Sequence, residues 1–233
     1  MICAIILAAG NASRFNSPIY KQFHQLNGRI LLDYPIQTFS QCDEVDQLII
    51  VVPAGKVNTI QDLYPHHHVI SGGKSRRESS FNGLTSCPPE TDKVLIHDAA
   101  RALIDQATIL RCIDGLEKAD AISTVVPVKD TVVETNGNNI VQVPNRNLMF
   151  LEQTPQGFSY HILFNAHKNI KIDVTDDIRL VKESGIECKV VEGSEQNFKI
   201  TTQQDFQLAE ILLKGINDST NTTSGHQVKI GKI

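Results

Sequence analysis

Short apolar runs alternate along this chain with segments whose apolar positions recur every three to four residues. Ile2–Leu7, Leu48–Val52, Lys93–His97 and Ile122–Val126 are rich in β-branched residues and apolar at successive positions. That is the pattern of strands buried on both faces of a parallel sheet. Helix starts lie between them. Ser75-Arg76-Arg77-Glu78 reads as a capping box opening a helix to about Ser86, and Thr202-Gln203-Gln204-Asp205 as another ahead of Phe206–Lys214. Asp105 is placed to cap a helix carrying Ile109, Ile113 and Leu116, and Thr175 one carrying Ile178 and Val181; Pro35 fits the first turn of a helix ending near Ser40. The alternation predicts an α/β fold, a Rossmann-like, mainly parallel sheet covered by helices on both faces.

One segment breaks the rhythm. Val128–Glu134 and Ile140–Val143 flank Thr135-Asn136-Gly137-Asn138-Asn139, a hairpin signal centred on Asn-Gly. A two-stranded arm is marginal alone and must pack on the main domain or on a second subunit. The chain thus divides into a domain over 1–216, with an arm at about 128–149, and a Ser-, Thr- and Asn-rich polar tail over 217–233.

Composition narrows the class. A chain of 233 residues with 41% hydrophobic and 21% charged residues has ordinary globular proportions. The net charge of −4 speaks against a general nucleic-acid binder. It leaves room for phosphorylated metabolites in a local basic cleft. No apolar run reaches the roughly 20 residues that span a bilayer, so no membrane partner is expected. The five cysteines (Cys3, Cys42, Cys87, Cys112, Cys188) are odd in number and scattered without a CxxC pair, which predicts reduced thiols in a cytoplasmic protein.

Phosphate chemistry then comes forward. Ile5-Ile6-Leu7-Ala8-Ala9-Gly10-Asn11-Ala12-Ser13-Arg14, followed by Lys21, runs an apolar strand into a loop of small residues and two cations. Small side chains let backbone N–H groups approach a polyphosphate closely. A dinucleotide fingerprint is excluded because two of its three glycines are missing. A Walker loop at Gly72-Gly73-Lys74-Ser75 fails because His68 stands where its first glycine belongs. What survives is a nucleoside-triphosphate loop with Arg14 and Lys21 on the phosphates, against the plainer reading of a solvated turn. Gly72–Ser79 opens a helix and could hold a base or phosphate, or could be a plain connection. His97-Asp98-Ala99-Ala100-Arg101 ends a central strand, where open α/β sheets bind ligands; a salt-bridged turn is the alternative. Lys199, in a predicted short strand, projects opposite Phe198 and Ile200, either into the cleft or onto a sheet edge. His66-His67-His68 cannot all face one ion from a strand and is expected in a surface loop.

In order along the chain, Leu7-Ala8-Ala9-Gly10 with Arg14 and Lys21-Gln22, Gly72-Gly73 with Arg76 and Ser79, and His97–Arg101 form a set. Gln153-Thr154-Pro155-Gln156, Thr175-Asp176-Asp177, and Glu192-Gly193 with Asn197–Thr202 complete it. This set resembles the 2-C-methyl-D-erythritol 4-phosphate cytidylyltransferases of bacterial isoprenoid biosynthesis over about residues 2–213. The resemblance implies CTP and the sugar-alcohol phosphate as substrates, Mg²⁺ or another divalent cation as cofactor, and a homodimer formed through the arm. It implies Arg14 and Lys21 as transition-state stabilisers and Ala8, Ala9, Gly10, Gly73 and Ser79 around the nucleotide. It also implies Asp98, Arg101, Thr131, Arg146, Thr154, Thr175 and Lys199 around the acceptor, with Thr131 and Arg146 serving the neighbouring subunit. No metal ligand is assigned. Three positions depart from the family pattern: Ala12 replaces a loop glycine, Tyr20 the proline before the lysine, and Ala102 the proline after Arg101. A ribitol-5-phosphate cytidylyltransferase and a non-catalytic nucleotide-binding relative are the competing readings.

Overall fold

The computed structural model describes residues 1–10, 15, 20–172 and 174–223, with side chains described through 215. The apolar run Ile2–Leu7 forms β1. After it come the two-residue strands β2 (Gln25–Leu26) and β3 (Arg29–Ile30), then α1 (Asp33–Ser40), β4 (Gln47–Val52), α2 (Val57–Leu63) and β5 (His68–Ser71). Next are α3 (Arg76–Thr85), β6 (Lys93–Asp98), α4 (Gln106–Gly115), β7 (Ala121–Pro127) and the arm strands β8 (Glu134–Asn136) and β9 (Asn139–Gln142). The chain closes with β10 (Phe150–Ser159), α5 (Tyr160–Asn169), α6 (Asp177–Glu183), β11 (Lys189–Glu192) and α7 (Gln203–Thr223).

Seven strands make one sheet in the order β11-β7-β10-β6-β1-β4-β5. Every pairing is parallel except those of β10, which runs antiparallel to both β6 and β7. Because side chains alternate across a strand, the continuous apolar runs feed two cores. Ala4, Ile6, Ile50 and Leu95 pack under α1, α2 and α4 with Phe39, Ile60 and Ile109. Cys3, Ile5, Ile49 and Ile96 pack under α3, α5 and α6 with Leu84, Leu163 and Leu180. A third cluster of Leu26, Leu31, Ile200, Phe206 and Ala209 seats α7 against the β2–β3 ribbon.

The predicted caps are present. Ser75 accepts from Glu78 N, Asp105 from Thr108 N, and Thr202 Oγ1 from Asp205 N while Asp205 Oδ2 accepts Thr202 N in return. Glu78 departs from the reciprocal box, its carboxylate taking Lys74 N at 2.8 Å. Thr175 is not the cap of α6. Asp176 is, accepting from Arg179 N, because it is the residue directly before the first helical turn and its carboxylate lies within reach of the third helical N–H. Lys199 lies in extended chain and not in a strand; Ile200 N bonds Ala100 O without forming a ladder. The arm strands are shorter than predicted on the first side, with the turn at Gly137-Asn138 and Gly137 at φ +59°. α7 runs to Thr223, past the expected start of the tail at 217, and residues 224–233 lie outside the described residues. All five cysteines are free, and among the described residues no helix is long and apolar enough to cross a membrane.

Candidate active site

β1 continues through α1 to β4 on one side, while β6 flanks it on the other, so the loops after β1 and β6 diverge at their carboxyl ends. A cleft opens there, as expected at a switch point of an open α/β sheet. It has a volume of about 440 Å³ and is lined by Ala8–Gly10, Lys21, Gly73–Arg76, Ser79, Asp98 and Lys199, among others.

The first wall is the loop after β1. Gln22, almost fully buried, donates Nε2 to Ala8 O and, at 3.4 Å, to Gly10 O, which holds the loop's carbonyls inward. Lys21 occupies the short 3-10 turn Lys21–Phe23 and donates Nζ to Ile200 O. Arg14 and Ala12 lie outside the described residues. Tyr20 packs edge-on against Phe23, with ring centroids 6.1 Å apart, and Ala102 is buried in the α7 cluster.

The second wall is the turn from β5 into α3. A Cβ on Gly72 would lie 2.3 Å from Ala9 Cβ and 2.9 Å from Ser79 Oγ. Glycine is therefore required here by close approach of the two walls. Ser79 accepts from Gly73 N at 3.1 Å and donates to Ser75 O at 2.9 Å, fixing that turn on the helix.

The floor is the end of β6. Asp98 N donates to Thr154 Oγ1 at 3.0 Å. Its Oδ1 accepts Arg76 Nε at 3.1 Å and its Oδ2 accepts Lys199 Nζ at 2.5 Å. Burial alone would raise the Asp98 carboxyl, but Arg76, Lys199 and Arg101 overcome it and hold the group well below the usual carboxylate range. Asp98 is thus ionised, and its charge is balanced at close range. Thr154 serves as a buried strut, contacting Asp98 N and His97 Nδ1.

Arg101 faces away from this cleft. Its guanidinium clasps Asn197 O and Glu152 O at 2.9 Å each and borders a second cavity of about 640 Å³ that also contains Lys129, Glu152, Glu195 and Lys199. Lys199 belongs to both cavities. Thr175 is exposed and bonds Asp176. Thr131 and Arg146 stand exposed on the arm, Arg146 donating to Lys129 O at 2.8 Å. One chain therefore brings together Ala8, Ala9, Gly10, Lys21, Gly73, Ser79, Asp98 and Lys199, with Thr154 and Arg101 behind them. It does not bring in Thr131, Arg146 or Thr175.

Arg76, Gln22 and Asn197 stood in quoted motifs without a role. Arg76 bridges Asp98 and Asp177, Gln22 ties down the first loop, and Asn197 anchors the segment carrying Lys199 through Nδ2 to Thr154 O at 2.8 Å. Residue type alone marked none of them, since each acts through partners distant in sequence. His66 and His68 are exposed, and His67 contacts Ser40 Oγ. Among the described residues no group of three His, Cys, Asp or Glu could hold a metal ion.

The profile of the 2-C-methyl-D-erythritol 4-phosphate cytidylyltransferase family matches residues 2–215. A protein of that name from Desulforamulus reducens is 35% identical over 93% of this chain and 97% of its own length. One from Clostridium botulinum is 34% identical, over 90% and 96%. Among solved structures, the 4-diphosphocytidyl-2C-methyl-D-erythritol synthase of Anaerococcus prevotii superposes with a TM-score of 0.81 at 30% identity, covering 91% of this chain and 98% of that one. The cytidylyltransferase of Thermus thermophilus gives 0.75 at 28% identity, covering 90% and 98%.

Proposed function

Because the chain belongs to the 2-C-methyl-D-erythritol 4-phosphate cytidylyltransferase family, we propose that this cleft is where it performs the family's reaction, with Lys21 and Lys199 as the cations that touch reacting phosphates. The enzyme joins CTP and 2-C-methyl-D-erythritol 4-phosphate, releasing pyrophosphate and 4-diphosphocytidyl-2-C-methyl-D-erythritol. The observation that carries the assignment of the site is its charge. Lys21, Lys74, Arg76 and Lys199 line the cleft against the single carboxylate of Asp98 among the described residues.

Such a site suits the chemistry. The acceptor phosphomonoester is already ionised near neutral pH, so it attacks the α-phosphate without a general base. The obstacle is to bring two polyanions together and to stabilise an in-line transition state, which is a task of positioning and electrostatics. Ala8–Gly10 and the Gly73 turn present backbone to the nucleotide. Lys21 sits between the first loop and Ile200, within the wall that faces the phosphates. Lys199, shared by both cavities, stands where the nucleotide and acceptor halves meet. Arg14, by its place in the motif, completes the phosphate cations.

For a divalent cation the donor set is sparse, since both oxygens of Asp98 already hold cations. Asp98 is the cleft carboxylate that would lie beside Mg²⁺, an ion that is commonly bound through one or two carboxylates together with substrate phosphates and water. When bound, the ion neutralises phosphate charge. A homodimer through the arm is supported by the apolar residues left exposed there: Val133, Ile140, Val141, Val143, Leu148 and Phe150. In that assembly Thr131 and Arg146 reach the second cavity of the neighbour, and Arg101 and Thr154 act as supports of the acceptor half. Free thiols support a reducing, cytoplasmic setting.

Pyrophosphate release measured with CTP and Mg²⁺ tests the reading. Release is expected with 2-C-methyl-D-erythritol 4-phosphate. Equal or better kcat/KM with ribitol 5-phosphate would reassign the acceptor, and no release with either would overturn the placement of the chemistry.

A further inference from the structure

Beneath the cleft a chain of charged groups runs inward from Lys199 and Asp98 to Arg76 and Asp177, and the reaction as described gives those last two no step. Asp177 opens α6 and is fully buried. Its Oδ2 accepts Arg76 Nη1 at 2.7 Å, and its Oδ1 accepts Ser80 Oγ at 2.8 Å and His167 Nε2 at 2.9 Å. Its backbone N donates to Gln156 Oε1 on β10 at 3.1 Å. Arg76 spends its other edge on Asp98, Nε to Oδ1 at 3.1 Å. Asp98 then has only Oδ2 left, and Lys199 takes it. The order Asp177–Arg76–Asp98–Lys199 runs from the interior to the point where both cavities meet.

We propose that Asp177 and Arg76 are positioning residues for Lys199: Asp177 fixes the guanidinium, the guanidinium claims one oxygen of Asp98, and the remaining oxygen sets where the Lys199 ammonium stands. This deepens the proposed function and rests on it for the identity of the phosphate that Lys199 meets. The physical case has three parts. A planar guanidinium can bridge two carboxylates in a fixed fork, which an ammonium cannot. Burying two carboxylates around one arginine stabilises a fold poorly compared with apolar packing, so stability alone does not account for the arrangement. Asp177 is also held from four directions, by α3 twice, α5 and β10, as a reference point needs to be. Displacing a cation by about 1 Å from its productive place can cost up to a hundredfold in rate.

The test compares Asp177→Asn, Arg76→Lys and Arg76→Ala in the full-length enzyme. Expected for folded Asp177→Asn is a kcat lowered about tenfold or more, with the KM for CTP within about twofold of the parent. Without substrates, mass spectrometry should show severalfold faster acetylation of Lys199, because Arg76 released from Asp177 turns both arms to Asp98 and displaces the ammonium. Arg76→Lys should lose nearly as much kcat as Arg76→Ala, since charge without the fork does not position Asp98. If Asp177→Asn does not fold, the arginine pair decides. A folded Asp177→Asn with parental kcat and parental Lys199 acetylation overturns the proposal, whatever its Tm; so does Arg76→Lys with parental kcat. Failure of the reading beneath it appears separately, as absent pyrophosphate release by the unmodified enzyme. The acetylation rates then still decide the positioning claim.

Discussion

His97 stands one residue before Asp98, at the floor of the cleft and fully buried. Its partners define its protonation. Asp98 N donates to Thr154 Oγ1, so the threonine hydroxyl is free to donate to His97 Nδ1, 3.1 Å away. The other ring nitrogen, Nε2, then carries the proton and donates to Arg101 O at 3.2 Å. This tautomer is assigned from the network. Burial pushes the imidazole down to about 4, and the nearby Asp98 charge and the Arg101 carbonyl offset only part of that. An unfolded chain binds this proton near 6.5. The contribution of neutral His97 to stability is therefore fully present above pH 6.5 and is lost as pH falls toward 4. Linkage puts the whole contribution at about 3 kcal/mol, of which about 2 kcal/mol disappears between pH 7 and pH 5. Urea unfolding at both values, in the parent and in His97→Gln, measures it. The variant is expected to be less stable at pH 7 but to lose about 2 kcal/mol less on acidification. Equal losses in the two proteins, or the His97 imidazole signal (identified by its absence from His97→Gln) titrating near 6.5 in the folded enzyme, would refute the reasoning.

Three further outcomes follow from the site. Lys21→Ala should lower kcat about a hundredfold, as expected for loss of a cation at developing charge; near-parental turnover would remove Lys21 from the reaction. Gly72→Ala forces a methyl to within 2.3 Å of Ala9 Cβ. It should destabilise the fold by about 1–3 kcal/mol and raise the KM for CTP, and thermal unfolding with saturation kinetics reads both. If Arg146 serves the neighbouring subunit, inactive Arg146→Ala and Lys199→Ala chains refolded together in equal amounts should recover about a quarter of parental activity, from the one intact site in each mixed dimer. No recovery despite mixed dimers would place Arg146 on its own subunit's site.

How much of this was legible along the chain depended on how local the cause was. β1, β4, β6 and β7 were readable because each is buried on both faces and needs an unbroken apolar run. The caps at Ser75, Asp105 and Thr202 were readable because a cap is made within four residues. β10 was not, because Phe150–Ser159 carries polar Glu152, Gln153, Thr154 and Gln156. Their buried groups are satisfied by Ser123, Ser194, Asp98 and Asp177, from elements far apart in sequence. The cap of α6 was missed by one residue because Thr175 and Asp176 are both competent caps, and only the approach of the chain to α6 selects between them.

The layered α/β plan, the unpaired cysteines, the run of small residues after β1 and the cations that line the cleft were all legible along the chain. Periodicity, local capping and residue chemistry act over a few positions and need no knowledge of the fold. Which charges meet was settled by folding alone. It put Arg76 between Asp98 and Asp177, turned Arg101 into a clasp on Asn197 and Glu152, and brought Lys199 to Asp98 from 101 positions away. An ion pair depends on distance in space, and distance in space is set by how seven strands are ordered in one sheet.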